Sequence, residues 1–458
     1  MSKKLVVILF GFATMISCTA HQSGNQAAAL SDTPVVYMTQ EISPAALVRV
    51  YEALGRPAAG NVAVKISTGE AGGHNYLKPQ LIRQLVNAVN GTIVECNTAY
   101  AGRRNSTQAH WQTIREHGFT DIAPVDIMDE EGDFCIPVQD STWIKYDRVG
   151  THMKKYDFMI NLAHFKGHAM GGFGGVLKNQ SIGVASASGK AYIHSAGFTE
   201  DVNECWSHVG NQDGFLESMA SAAQAVHDYY GGRRILYINV VNNLSVDCDC
   251  DSHPADPEMK DIGILASLDP VALDQACVDL VFDYPSQKGD NAEALIERIN
   301  SRHGIHILEH AAKIGLGKRY YNLVNIDGDQ MLETLNANSL SLLVRNHGIT
   351  SHHNNRGVED LLTLLQNEPE RLKGAVVADK MIGKAAAAIM VVGGVKTVYT
   401  NLICTPAREL FETAGVTVVA KEEVPQILNR DKTAQCPIDS RLNDALTAKE
   451  CVNILLNK

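Results

Sequence analysis

The stretch Tyr156 to Ser195, YDFMINLAHFKGHAMGGFGGVLKNQSIGVASASGKAYIHS, constrains this 458-residue chain more than any other. It opens with an apolar run, Phe158 to Ala163, of the length and composition of a buried strand. The run then releases His164, Lys166 and His168 into a loop carrying Gly167, Gly171, Gly172, Gly174 and Gly175. Glycine tolerates positive φ and lets the backbone approach a ligand closely. Open α/β sheets bind ligands beyond the carboxyl ends of their strands, so a strand that ends in imidazoles, amines and glycines reads as an active site. A structural turn would explain a single GGxGG; here Lys178 and His194 join the same cluster. The expected catalytic groups are His164, His168, Lys178 and His194. Gly171, Gly172, Gly174, Gly175, Lys178 and Asn179 are expected around a cofactor, with His168 and His194 as possible metal ligands.

The pattern around this stretch alternates. Val62–Ser67, Thr92–Asn97, Ala123–Met128, Arg234–Val241 and Tyr321–Ile326 read as strands; Pro79–Val89, Trp111–His117, Phe215–Tyr229 and Pro270–Phe282 read as helices, the last opened by Asp269 as N-cap. Such alternation predicts Rossmann-like, largely parallel α/β sheets over residues 35–327. A boundary at Asp327-Gly328-Asp329 is followed by a second α/β pattern over 329–429, then a tail and final helix over 430–458.

A net charge of −11 without any lysine/arginine block argues against a nucleic-acid partner. A small or anionic ligand remains compatible, because local pairs such as Arg103-Arg104 oppose the global sign. Lys3-Lys4, an apolar run to Ile16 and Ser17-Cys18 form an export signal resembling a bacterial lipobox, with Cys18 as the lipidated residue. Plain cleavage near Ala20 is the alternative. Residues 19–34 would be a flexible tether, and the address an exported, lipid-anchored envelope protein, held to the membrane only by that anchor. Nine other cysteines include no CxxC pair.

Asp247-Cys248-Asp249-Cys250-Asp251 is the other notable cluster. On an extended strand end Cys248 and Cys250 would face one way and present two thiolates to a metal. The three aspartates could instead hold a hard cation, or the thiols could simply be buried; Cys96 and Cys135 could join from other strand ends. His303, His306 and His310 share a helical face, where surface or core roles are expected because Gly304 interrupts the segment.

Four motifs, GEAGGHNYLKP at 69–79, INLAHFKGHAMGGFGGVLKNQSIG at 160–183, VDCDC at 246–250 and DIGILASLDPVALDQACVDLV at 261–281, resemble the family known as domain of unknown function 362. Its members are often labelled iron-sulfur centre proteins, which implies a metal ion or cluster. The spacing of His168, Lys178 and His194 is also similar to that in nickel-pincer lactate racemases. That resemblance implies a lysine bonded to the cofactor and a histidine on nickel, and would make the chain, if an enzyme, oxidoreductase-like or racemase-like. LLVRNHGI and GAVVADKMIGKAAAAIMVVGGVKTVYTNLICTPARELFETAGV resemble domain of unknown function 1893, implying a cytidine-deaminase-like fold. A zinc deaminase needs a histidine, two cysteines and a glutamate; Gly383-Lys384-Ala385 and Ala407 replace them, so deamination is not expected. Asp379, Lys384 and Cys404 are expected to line what remains of that pocket.

Together these features predict a protein that binds a metal or metal-containing redox cofactor, iron-sulfur or nickel in type, at the His/Lys/Gly loop and the DCDC strand end. Its C-terminal module would be a degenerate deaminase. The rival expectation is a non-catalytic envelope protein that binds a small anion or a partner.

Overall fold

The computed structural model describes residues 33–346 and 349–457; the expected export signal, Cys18 and most of the expected tether lie outside them. Along the chain run β1 (Val35–Thr39), β2 (Val62–Lys65), β3 (Thr92–Glu95), β4 (Val125–Ile127), a hairpin of β5 (Asp133–Pro137) and β6 (Tyr146–Gly150), then β7 (Phe158–His164). A short hairpin of β8 (Lys166–His168) and β9 (Gly172–Gly174) follows, and then β10 (Ile235–Val241), β11 (Gly263–Ser267) and β12 (Asn322–Asn325). Eight of these form one sheet in the order β12-β1-β11-β10-β7-β2-β3-β4, in which only β11 pairs antiparallel with its neighbours.

Every residue of β7, β10 and β11 is buried, as expected of strands covered on both faces. The period-2 alternation divides them between two cores. Val62, Val64, Phe158, Ile160 and Leu162 face the helices Pro44–Ala53 and Pro79–Ala88; Ala63, Met159 and Ala163 face Gln212–Tyr229 and Pro270–Phe282. Asp269 caps the last helix by accepting from Val271 and Ala272 N–H at 2.9 Å each. The segment that carries the three histidines forms two helices, Glu293–Ser301 and His306–Lys313, separated where His303 takes a φ of 53°.

The second sheet contains β13 (Leu342–Asn346), β14 (Ile349–His353), β15 (Val376–Ile382), β16 (Thr397–Cys404) and β17 (Thr417–Val424) in the order β14-β13-β15-β16-β17. A helix, Asp327–Ala337, starts where the boundary was expected and packs Met331, Leu332 and Leu335 on one face of this sheet. Cys451, Val452 and Leu455 of the final helix join the core on the other face, so residues 430–458 belong to the C-terminal domain. Asp327 links the two sheets: its carboxylate accepts from Thr39 Oγ1, from Gln40 N–H at 3.0 Å and from Arg345 Nη1 at 2.6 Å. Among the described residues no helix is long and apolar enough to cross a membrane.

Candidate active site

A cavity of ≈ 270 Å³ opens beyond the carboxyl ends of β2 and β3. Those strands read VAVK and TIVE: each apolar run closes on a charge, and the charges meet. Lys65 Nζ donates to Glu95 Oε2 at 3.0 Å, to Asn179 Oδ1 at 3.2 Å and to the Ile66 carbonyl. Arg104 completes the network through Glu95 Oε1 at 3.2 Å, Glu70 Oε2 at 3.3 Å and the Tyr100 hydroxyl at 2.7 Å. Burial alone would raise the Glu95 pKa; Lys65 and Arg104 overcome it and hold the carboxyl at about 2. Two cations and two carboxylates thus balance, and a buried network of this kind is costly unless every member is satisfied.

The remaining amines have no bonded carboxylate. The Lys178 amine, on the helix Val176–Ser181, lines the cavity half-buried and makes no hydrogen bond or ion pair within the described residues. Burial, reinforced by Lys166, lowers its pKa to about 7. Lys190, buried on the helix Ala187–His194, donates only to the Ala185 carbonyl, at 2.5 Å. Asp129 attracts the Lys190 ammonium, so the charge in the cavity without a bonded counter-ion is that of protonated Lys178.

Two histidines line the same cavity with opposite polarity. His168 Nδ1 accepts from the Met170 and Gly171 amides at 3.2 and 2.8 Å, so its neutral ring keeps the proton on Nε2. His194 Nδ1–H donates to the Lys190 carbonyl at 2.7 Å, which leaves the Nε2 lone pair free. Burial lowers both pKa values, that of His194 to about 4, and the His194 ring stacks on Phe215 at 5.1 Å. At neutral pH the first ring offers a proton and the second accepts one.

Several expected residues stand elsewhere. His164 is turned away from the cavity: Nδ1 lies 2.8 Å from Asp249 Oδ1 and Nε2 2.6 Å from the Asn242 carbonyl, so both ring nitrogens are engaged by the protein itself. Lys166 donates to the other oxygen of Asp249 at 2.7 Å. The glycines serve the chain's own backbone instead of a cofactor. A Cβ on Gly175 would sit 2.2 Å from Asp274 Oδ1, because the Asp274 carboxylate occupies the start of the following helix, accepting from Val176 and Leu177 N–H at 2.9 Å each. Gly172, at φ 80°, lies against Ile299 and Gly304. Gly171 and Gly174 face His168 and the Lys178 stem. Asn179 lines the cavity, with its amide donating to the Lys65 carbonyl and Asn161 Oδ1 at 3.0 and 2.7 Å.

The DCDC segment is a turn, not a strand end. Cys248 and Cys250 are joined as a disulfide, so neither is a thiolate ligand in this state. His168 and the two sulfurs nevertheless form a group whose possible ligand atoms lie within 4.8 Å of one another. The aspartates diverge: Asp247 pairs with Arg298 at 3.2 Å, Asp249 is buried under His164 and Lys166, and Asp251 accepts from the His253 amide at 2.8 Å. Cys96 is buried on the cavity wall and Cys135 is exposed on β5. His303 pairs with Asp213 at 2.6 Å, while His306 and His310 share Glu217 at 2.9 and 3.4 Å and His310 also reaches Asp140 at 2.7 Å.

In the C-terminal domain a cavity of ≈ 660 Å³ is lined by Asp379, whose pKa burial raises to about 7. Lys384 is turned out of it toward the Leu442 and Ala445 carbonyls at 2.8 and 2.7 Å. Cys404 is buried as the N-cap residue of the helix Thr405–Thr413 and does not line it either. At the start of the helix Lys384–Val392, Asp439 accepts from the Lys384 and Ala385 amides at 3.1 and 3.0 Å.

Sequence reasoning missed Lys65, Glu95, Tyr100, Lys190 and Trp206 as wall residues. The signal was present for Lys65 and Glu95, since a charge closing a buried strand demands a partner. For Lys190, the i, i+4 relation to His194 on one helix was the only hint.

No curated protein matches this chain. Among solved structures, a DUF1893 family protein from Thermotoga maritima is 26% identical over 28% of this chain and 86% of its own, with a TM-score of 0.27. The lactate racemase apoprotein from Thermoanaerobacterium thermosaccharolyticum is 14% identical over 45% of this chain and 50% of its own, TM-score 0.30. Another Thermotoga maritima protein is 11% identical over 51% and 57%, TM-score 0.32. The chain thus spans about half the length of the latter two. Residues 62–279 match the family model described as domain of unknown function DUF362 and residues 330–458 that of DUF1893, so the chain joins a DUF362 region to a DUF1893 region.

Proposed function

We propose that the first domain binds a small organic anion, as substrate or as part of a cofactor, in the Lys178 cavity and performs proton-transfer chemistry on it. The observation that carries this reading is the unpartnered Lys178 amine, its pKa lowered to about 7, in one cavity with two histidines of opposite tautomer. A desolvated amine near neutrality holds an anion as ammonium and attacks a carbonyl as free base. His168 Nε2–H donates a proton and His194 Nε2 receives one. Lys190 adds positive charge that steers the anion inward.

These residues also fit a metal-containing cofactor of the nickel type. Lys178 would attach its organic part and His194 Nε2 would ligate the metal, which would supply Lewis-acid or redox chemistry. They do not fit an iron-sulfur cluster: Cys248 and Cys250 are bonded to each other, and Cys96 and Cys135 lie apart from them on the cavity wall and on β5. The proposal includes an envelope address through lipidated Cys18. The C-terminal domain is read as a binding module around Asp379.

The test is reductive trapping with pyruvate and cyanoborohydride at pH 7.5, followed by peptide mass mapping. A single adduct on Lys178, absent in Lys178→Ala and suppressed by excess phosphate, is expected. Labelling spread over surface lysines, with Lys178 unmodified, refutes the reading. Elemental analysis of the same protein decides between a bare anion site and a metal-containing cofactor.

A further inference from the structure

The Cys248–Cys250 disulfide spans a single residue. A cross-link closing so small a loop removes little freedom from the unfolded chain, so holding the fold together is not its role. Other bonds fix the segment. The Asp249 carboxylate between the two cysteines takes His164 at 2.8 Å and Lys166 at 2.7 Å, both buried. The Glu70 amide donates to the Asp249 carbonyl at 2.7 Å, and Arg298 to the Val246 carbonyl at 2.8 Å. Opening the sulfur–sulfur bond breaks none of these.

The two sulfurs are unequal. Cys248 is buried and borders only an outer cleft of ≈ 560 Å³, whereas Cys250 is half-buried and lines both that cleft and the Lys178 cavity. Tyr100 and Ala169 are the other residues common to both spaces. The Cys250 amide points at Cys248 Sγ, 3.4 Å away, where it would stabilise negative charge on that sulfur. Lys178 lines the same cavity as Cys250, and its ammonium form would favour a thiolate there. Among the described residues the other seven cysteines form no disulfide.

The geometry points to Cys248–Cys250 as a redox-active disulfide that exchanges with a low-molecular-weight thiol arriving through the outer cleft. The incoming thiolate attacks Cys250 Sγ; a mixed disulfide forms there and Cys248 leaves as thiolate toward the Cys250 amide. A second thiolate attacks the small-molecule sulfur of the mixed disulfide and releases Cys250. In sum two thiols become one disulfide, and the protein disulfide takes up two electrons and two protons. The step runs in either direction according to the thiol pool, and it does not depend on what occupies the Lys178 cavity.

The full chain, equilibrated in glutathione buffers from oxidised to reduced, acid-quenched, alkylated and peptide-mapped, tests this. Cys248 and Cys250 should pass together from disulfide to dithiol while the far-ultraviolet dichroism stays constant. Cys248→Ser, which removes the resolving thiol, should accumulate a glutathione adduct on Cys250, and Cys250→Ser should cut adduct formation at this site at least tenfold. A pair that stays oxidised until the protein unfolds, a pair that stays reduced across the whole range, or an adduct on other cysteines only would overturn the inference. If Cys248→Ser does not fold, the wild-type titration decides alone.

Discussion

At the scale of single residues the site is defined by amines and rings left without the usual partner. Lys178 contributes negatively to stability, and its pKa fixes where. In the unfolded chain it titrates near the ordinary 10.5 and in the fold at about 7. Between those values the unfolded state holds the extra proton, so its penalty is complete below about pH 7 and vanishes as pH rises to 10.5. Lys178→Met should therefore raise Tm at pH 7. Because the amine is partly exposed, the gain is about 1 kcal/mol, or roughly 2–4 °C, and well below the full shift. Calorimetric scans of both proteins from pH 6 to 10.5 check this; a difference that does not shrink with rising pH contradicts it. The sequence made Lys178, His168 and His194 legible because they crowd one short stretch. It hid the tautomers, since each depends on which backbone group meets Nδ1, and it hid the opposing fates of His164 and His168, four residues apart.

Elements supply the positions, and the helix Val176–Ser181 shows how. It is short and begins after a glycine, with no cap of its own. Its cap comes from Asp274, 98 residues on, which also takes the Asn239 amide at 2.7 Å. Burial raises the Asp274 pKa to about 6 against those hydrogen bonds. Asp274→Ala orphans the two buried helix amides and leaves the Asn239 amide only Cys277 Sγ at 3.4 Å; it should cost about 2–4 kcal/mol, loosening the helix that carries Lys178, and Asp274→Asn should recover part of it. Urea unfolding of both variants measures the loss, and a cost below 1 kcal/mol for the alanine would remove the cap from this account. This contact explains the main misreading. A GGxGG before a helix has the composition of a ligand cradle, and no local rule says that a distant carboxylate already fills it. Periodic helices such as Pro79–Ala88 and long apolar strands such as β7 and β10 were readable. Short β1 and β11 were not, since five residues carry too little period to stand out, and the Asp133–Gly150 hairpin has no strong alternation.

For the whole molecule, Asp327 concentrates the join between the two sheets. It is buried, paired with Arg345 at 2.6 Å, and bonded to Thr39 and Gln40 at the end of β1. Asp327→Ala leaves Arg345 buried with only Glu41, 3.3 Å away, to answer its charge. Differential scanning calorimetry should then resolve two transitions where the wild type shows one or a narrower pair; an unchanged thermogram would place the coupling elsewhere. The chain's own pattern marked this position as a boundary, yet residue 327 is at once the boundary and the fastening, a double role that composition does not encode. The C-terminal sheet follows directly from β12, the edge strand, whereas the Lys178 cavity opens at β2 and β3. Five strand spacings intervene between β12 and β2, about 24 Å. Substitutions at Lys178 and at Asp379 are therefore arithmetically independent: each phenotype can be read alone, and a double variant carries their simple sum.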